Sequence, residues 1–417
     1  MQNENNRRDI KLPVKDLRVG MFVSGLDRDW LDTPFLMQGF FIRSVENINE
    51  VAKHCNFVYI LGPNALEIDE FIDLSTSELI GRMPVAYEIK SGVGPEHTAI
   101  KTIAREARIY VKRMLKQVRF GEAIDTQSAR KLVARSVDSV IRHPDAQLLI
   151  SKLRGQDDYT IEHSLNVCAL AIVFGRRLGL KRNQLVNLGL CGLLHDVGKI
   201  KIPLEILNKP GRLTDEEYHI MKTHAKLGGE FLQQKKGMYQ DAIDVATRHH
   251  ERPDGKGYPN GLMGDDLSMF TKIISVVDVY DAITGDRVYA KGRPSTEALR
   301  IIYEQRGEQF DHKFALAFIQ TIGVYPAGSV VELVNGSVAL VVDTYSGYKH
   351  LPIMLLVRDS KKQPCDERFI DLSDSVDKPF DNGFLIKTVI TDNCYGISMK
   401  EYYDSGVFEG APASVIP

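Results

Sequence analysis

Five of the chain's eleven histidines fall, with two aspartates, in one ordered series through its middle third: His163, the pair His195-Asp196, His224, the doublet His249-His250, and Asp278. The donors lie tens of residues apart, so no local finger can hold them. A fold that uses them together has to gather several helices around one point, as bundle cores with dinuclear centres do. This much imidazole and carboxylate suffices for two metal ions, and neutral imidazole is a common ligand of iron, zinc, manganese and nickel. The series points to hydrolytic chemistry on phosphorus.

The segments that carry the donors read as helices. Apolar residues recur at helical spacing over 161–178, 185–194, 214–232, 242–250, 273–283, 296–304 and 314–322. An all-α bundle is expected for 144–324. Upstream, Ile100, Ile103, Ala104, Ala107, Val111, Met114, Leu115 and Val118 mark one face of a helix of about 25 residues. Leu132, Val133, Val137, Val140 and Ile141 mark a second. Within 96–143 these two form either a connecting hairpin, a dimerisation element or plain packing on the next domain.

Residues 1–9 read as a disordered tail and 10–62 as a small α/β domain. Short strands are expected around Val19, Met21 and Val23, at Phe40 to Ile42 and at Phe57 to Ile60, with a helix over 44–54. The stretch 63–95 mixes Pro, Gly, Ser and acids without a sustained period and reads as a linker. Beyond Pro326 the pattern alternates. Val330 to Val334 and Ser337 to Val342 flank Asn335-Gly336, a strong hairpin signal, and 352–357 adds a strand, so 325–417 reads as a small β appendage and tail.

A formal charge of −2, with 43% hydrophobic and 26% charged residues, gives no broad field for polymeric nucleic acid or membrane. The polar amino terminus lacks a secretory h-region and no apolar run reaches 18 residues, so a cytoplasmic protein is expected. Cys55, Cys168, Cys191, Cys365 and Cys394 show no CxxC spacing, which indicates neither a disulfide framework nor a thiolate zinc site. Cys168 and Cys191 read as small core residues. His54, His97, His143, His219, His312 and His350 stand outside the ordered series and read as surface or satisfied core residues.

In GLLHDVGK, apolar Leu193 and Leu194 bring His195-Asp196 to the end of a buried helix, and Asp196 is the expected bridge because its two oxygens can serve two ions. On this reading His163, His195 and Asp278 hold one ion and His224, His249 and His250 the other. Lys199, one turn past the pair, sets an ammonium where it can meet a phosphate oxygen. Glu251 follows the histidine doublet and extends that donor cluster. Two cations roughly 3.5–4 Å apart can activate water for in-line attack on a phosphodiester. The glycines and prolines of RPDGKGYPNG fix a turn in which Gly257, Tyr258 and Pro259 line a substrate groove or simply make a loop.

HDVGK at 195–199, HHERPDGKGYP at 249–259 and VVDVYDAITGDRVY at 276–289 resemble the HD-GYP family over residues 155 to about 320. The resemblance implies an HD-type α domain with two or three metals that acts as a cyclic di-GMP phosphodiesterase in a bacterial cell. It implies substrate contacts from Lys199 and Arg287, and catalytic roles for Lys199 and Asp196. Residues 10 to about 90 resemble the domain of unknown function that often precedes HD-GYP domains. Three-metal members carry a glutamate four residues before the first histidine; here Tyr159 stands there, which favours two ions, with Asp157 and Asp158 nearby. Asp281 reads as a cap or hydrogen-bond acceptor. The expected reaction gives linear pGpG, with a further cut to GMP left open, on iron or manganese rather than zinc because thiolate is missing. Cyclic GMP-AMP is the alternative substrate. A non-catalytic cyclic dinucleotide sensor and interaction module is the reading of another class, and the intact donor set speaks against it; a homodimer and signalling protein partners stand open beside the enzyme reading.

Overall fold

The computed structural model describes residues 10–17, 22–28, 40–42, 45–60, 77, 79–151, 159–235, 237–285, 292–345, 348–374, 381–391 and 394–412. Strands β1 (Ile10–Pro13), β2 (Phe22–Leu26), β3 (Phe40–Phe41) and β4 (Phe57–Ile60) form an antiparallel sheet in the order β1-β4-β2-β3. Helix α1 (Val45–His54) buries Val51 in a small core with Val14, Leu17, Val23, Leu26, Ile42, Cys55 and Val58. Of the strand expected around Val19 to Val23, the part before Phe22 lies outside the described residues.

The expected linker is, over its described part, laid against the bundle. Val85 N donates to Gly179 O at 2.9 Å, Tyr87 Oη donates to Leu180 O at 2.9 Å, and the Arg176 guanidinium donates to Tyr87 O at 2.9 Å. One backbone bond and two isolated side-chain contacts set no period, which is why composition alone suggests a free connection.

Helix α2 (Val93–Arg119) buries Ile100, Ile103, Val111, Met114 and Val118, and α3 (Thr126–Arg142) starts at Asp125, which accepts a hydrogen bond from Ser128 N at 3.0 Å. After α4 (Pro144–Ser151) the bundle continues with α5 (Tyr159–Arg177), α6 (Arg182–Leu194), α7 (Asp215–Gln233), α8 (Gln240–Arg248), α9 (Met269–Thr284), α10 (Ser295–Glu304) and α11 (His312–Ile322). These match the helical stretches expected from periodicity, give or take a turn at the ends. From Leu188 to Leu194 helix α6 is buried on every side, the mark of a central helix. Its carboxyl end therefore carries the pair His195-Asp196 into the middle of the bundle. Cys168 and Cys191 are buried in the same core.

Beyond α11, β5 (Val330–Leu333), β6 (Val338–Tyr345), β7 (Tyr348–Arg358), β8 (Pro364–Asp371) and β9 (Ile386–Ile390) form an antiparallel sheet in the order β8-β7-β6-β5-β9. The β5–β6 hairpin turns at Asn335-Gly336, with Gly336 at φ +86°. The tail is more than an extension of this sheet. Helix α12 (Met399–Asp404) and the turn Val407–Gly410 return to the bundle, where Met399, Tyr403 and Phe408 join the main core beside α2. These three large apolar side chains are too few to set a period in sequence. Among the described residues, no helix is long and apolar enough to cross a membrane.

Candidate metal centre

The structure brings all seven donors of the ordered series together. His163 comes from α5, His195-Asp196 from the end of α6, His224 from α7, His249-His250 from the end of α8, and Asp278 from α9. Ligand-capable atoms of Asp196, His224, His249 and His250 lie within 4.8 Å of one another, as do those of His163, His195 and Asp278.

Asp196 stands between the groups and divides its oxygens. Its Oδ2 lies 3.4 Å from His163 Nε2 and 3.3 Å from His195 Nε2, while its Oδ1 lies 3.3 Å from His224 Nε2 and 3.7 Å from His249 Nε2. Asp278 Oδ1 completes the first group at 3.0 Å from His163 Nε2 and 3.7 Å from His195 Nε2.

The outward nitrogens of four imidazoles are occupied. His163 Nδ1 meets Asp281 Oδ2 at 2.8 Å, His195 Nδ1 meets Gly192 O at 2.8 Å, His224 Nδ1 meets Met221 O at 2.7 Å, and His249 Nδ1 meets Val245 O at 3.0 Å. Each carbonyl or carboxylate accepts from Nδ1–H, which leaves the Nε2 lone pair facing the centre. His195 Nε2 and Asp196 Oδ1, fully buried, have no hydrogen-bond partner among the described residues. Orphaned buried nitrogen and oxygen at the focus of such a set fit divalent cations, which satisfy donors that the protein leaves bare.

Electrostatics divide the two groups. Burial opposes protonation of His163 and His195, but the carboxylates overcome it: Asp196, Asp278 and Asp281 hold the His163 pKa well above its ordinary value, and Asp196 with Asp278 raises that of His195 to about 9. Burial pushes the Asp196 and Asp278 carboxyls up; Lys199 and His195 at Asp196, and His163 and His195 at Asp278, bring both well below the ordinary carboxylate range. In the other group burial wins, and His249 and His250 are shifted down.

Close backbone approach sets the geometry. A Cβ on Gly198 would stand 2.0 Å from His224 O and 2.5 Å from Gly228 N, so only glycine lets the turn Val197–Lys201 lie on α7. That turn puts the Lys199 ammonium in an ion pair with Asp196, so in this structure Lys199 meets the shared carboxylate itself. Thr214 starts α7 with a capping box in which Glu217 reciprocates, and Ser268 caps α9 by accepting from Thr271 N at 3.2 Å.

Glu251 departs from the sequence expectation. Although it follows the doublet directly, it belongs to neither donor group. Its Oε1 accepts from Asn260 N at 2.6 Å and its Oε2 from Leu262 N at 3.0 Å, which ties down the loop after Gly257-Tyr258-Pro259. A Cβ on Gly257 would be 2.4 Å from Arg252 N, so the loop closes tightly on the residues after the doublet. Tyr258 is laid over His250, ring centroids 4.7 Å apart at 31°, and 6.5 Å from the His224 ring; the Tyr258-Pro259 peptide is cis. Arg287, Asp157 and Asp158 lie outside the described residues, as does the Tyr159 side chain. His97 and His143 are buried away from both donor groups.

Fold and donor set define an HD-type metal-dependent phosphohydrolase. Residues 142–314 match the HD domain, and residues 9–129 match a domain of unknown function, DUF3391, whose span takes in α2. The cyclic di-GMP phosphodiesterase PA4108 of Pseudomonas aeruginosa is 36% identical over 374 residues, covering 87% of this chain and 88% of that protein. The cyclic di-GMP phosphodiesterase response regulator RpfG of Xanthomonas campestris pv. campestris is 38% identical over 152 residues, 36% of this chain and 40% of that protein. The 3'3'-cGAMP-specific phosphodiesterase 3 of Vibrio cholerae is 32% identical over 168 residues, 40% of this chain and 36% of that protein. The chain belongs to the HD-GYP family of phosphodiesterases, and its HD domain implies binding of divalent metal.

Proposed function

We propose that this chain hydrolyses cyclic di-GMP to linear pGpG at a dinuclear centre, with His163, His195 and Asp278 on one ion, His224, His249 and His250 on the other, and Asp196 on both. The observation that carries this reading is the division of the Asp196 oxygens between two donor groups. Two bound divalent cations supply the positive charge that polarises a phosphodiester and eases loss of a proton from attacking water. The protein holds four of the five imidazoles by their Nδ1 atoms, so these are set before substrate arrives. Lys199 adds an ammonium beside Asp196, where the transition state gains negative charge. Tyr258 offers an aromatic face at the edge, Gly257 and Pro259 shape its loop, and Arg287 forks onto phosphate or guanine, as the family resemblance implies.

Nitrogen and oxygen donors without thiolate favour iron or manganese. The likeness to a Vibrio cholerae enzyme named for cGAMP supports 3'3'-cyclic GMP-AMP as a second substrate reading. The test is to load anaerobically purified protein with iron or manganese, supply each cyclic dinucleotide and separate the products. Release of pGpG from cyclic di-GMP is expected, the double variant His195→Ala/Asp196→Ala should release none, and a wild-type protein inert toward both dinucleotides overturns the reading.

A further inference from the structure

A cyclic dinucleotide carries two phosphodiesters, and only one can be at the metals during a single cleavage. The other keeps its charge and needs a cation some ångströms away, and the base beside it needs a surface. Helix α7 supplies both at the rim of the second donor group. The Lys222 ammonium lies 5.0 Å from the Tyr218 ring centroid and 5.9 Å from that of Tyr258, the ring already laid over His250. Among the described residues no carboxylate stands within ion-pair distance of Lys222, in contrast to neighbouring Lys226, 3.9 Å from Glu230, and Lys256, 3.8 Å from Asp254. Tyr218, on the same helix, is a large ring left 48% exposed.

We infer that Tyr218, Lys222 and Tyr258 form a subsite for the non-scissile half of the substrate: Lys222 neutralises the second phosphate and Tyr218 stacks on its purine. The inference rests on the proposed function. A cation held between two rings is partly desolvated and keeps its bearing, so it meets an incoming phosphate without reorganising. Stacking on tyrosine is tolerant of base identity. The subsite therefore serves cyclic di-GMP and cyclic GMP-AMP alike and does not tell them apart.

The experiment compares kcat/KM of the full, metal-loaded chain for cyclic di-GMP with that for bis(p-nitrophenyl) phosphate, a diester with no second phosphate and no purine. In Lys222→Met the ratio of the two should fall about tenfold or more, carried by KM for the dinucleotide, and Tyr218→Ala should lower it by a similar factor. Lys222→Arg should recover most of it, and added salt should reduce the wild-type ratio more than that of Lys222→Met. A wild-type enzyme that turns over cyclic di-GMP while both variants keep its ratio overturns the subsite alone. A wild-type chain inert toward cyclic di-GMP overturns the proposed function and this subsite with it.

Discussion

Asp196 gives one oxygen to each half of the centre, so its loss differs in kind from the loss of any single imidazole. Asp196→Ala should remove both ions and lower kcat by about 10³-fold or more, whereas His250→Ala should cost one ion; elemental analysis of the purified variants reads the difference. A finer case is Asp281, which touches no candidate ion but fixes His163 through Nδ1. Asp281→Asn should weaken metal binding roughly 10- to 100-fold with the fold intact, measured by competition against a chelator. Protons compete for the same site. His195 in the metal-free protein has its pKa raised from 6.5 to about 9, so between those values it is cationic when folded, and that stabilisation fades as pH rises through about 9. A ligating imidazole must be neutral and His163 is shifted up as well, so metal uptake near pH 7 should release protons, and apparent affinity should climb as pH rises above 7. Calorimetry in buffers of different ionisation enthalpy checks this, and heats that do not depend on the buffer would refute it. The seven donors were legible in sequence as one ordered series with two adjacent pairs, carried on or at the ends of segments with helical periodicity. Glu251 was not, since a carboxylate that ligates and one that clamps a loop have the same chemistry, and only the turn after the doublet decides which way it faces.

At the scale of elements, periodicity revealed the bundle and its order, because its helices bury one face and α6 is buried all round from Leu188 to Leu194. What it could not reveal is where two elements touch through backbone. Gly198 is such a place: its hydrogen stands where a methyl would meet His224 O. Gly198→Ala should lift the turn Val197–Lys201 from α7, cost about 1–3 kcal/mol of stability, and loosen both Asp196 and His224. The expected result is a lowered Tm together with reduced metal content. A variant of unchanged Tm and full metal content would show that the turn yields without disturbing its neighbours. The docked segment 79–92 was hidden as well, because one backbone bond to Gly179 and one from the Tyr87 hydroxyl to Leu180 O set no repeating pattern.

Across the whole molecule, α2 ties the parts together. Its Arg108 holds buried Glu162, the residue before His163, in a two-point ion pair, and its amino-terminal end carries His97, on which the Tyr403 ring lies at 3.8 Å between centroids. Lys101 pairs with Asp404 at 3.0 Å. On a second seam, buried His143 stands 3.3 Å from Asp343, and Thr344 hydrogen-bonds Asp145, joining the start of α4 to β6. The carboxyl-terminal return is thus part of the core that supports the metal centre, although nothing in its sequence sets it apart from a trailing tail. Phe408 tests this directly, because its ring is fully buried against that core. Phe408→Ala should cost about 3–5 kcal/mol in denaturant unfolding. Amide hydrogen exchange should quicken first along the early turns of α2, where His97 loses its cover. The metal ligands, one layer further in, should keep their ions at temperatures where the folded state persists. Unchanged stability and unchanged protection of α2 would mean that the return lies on the bundle without supporting it.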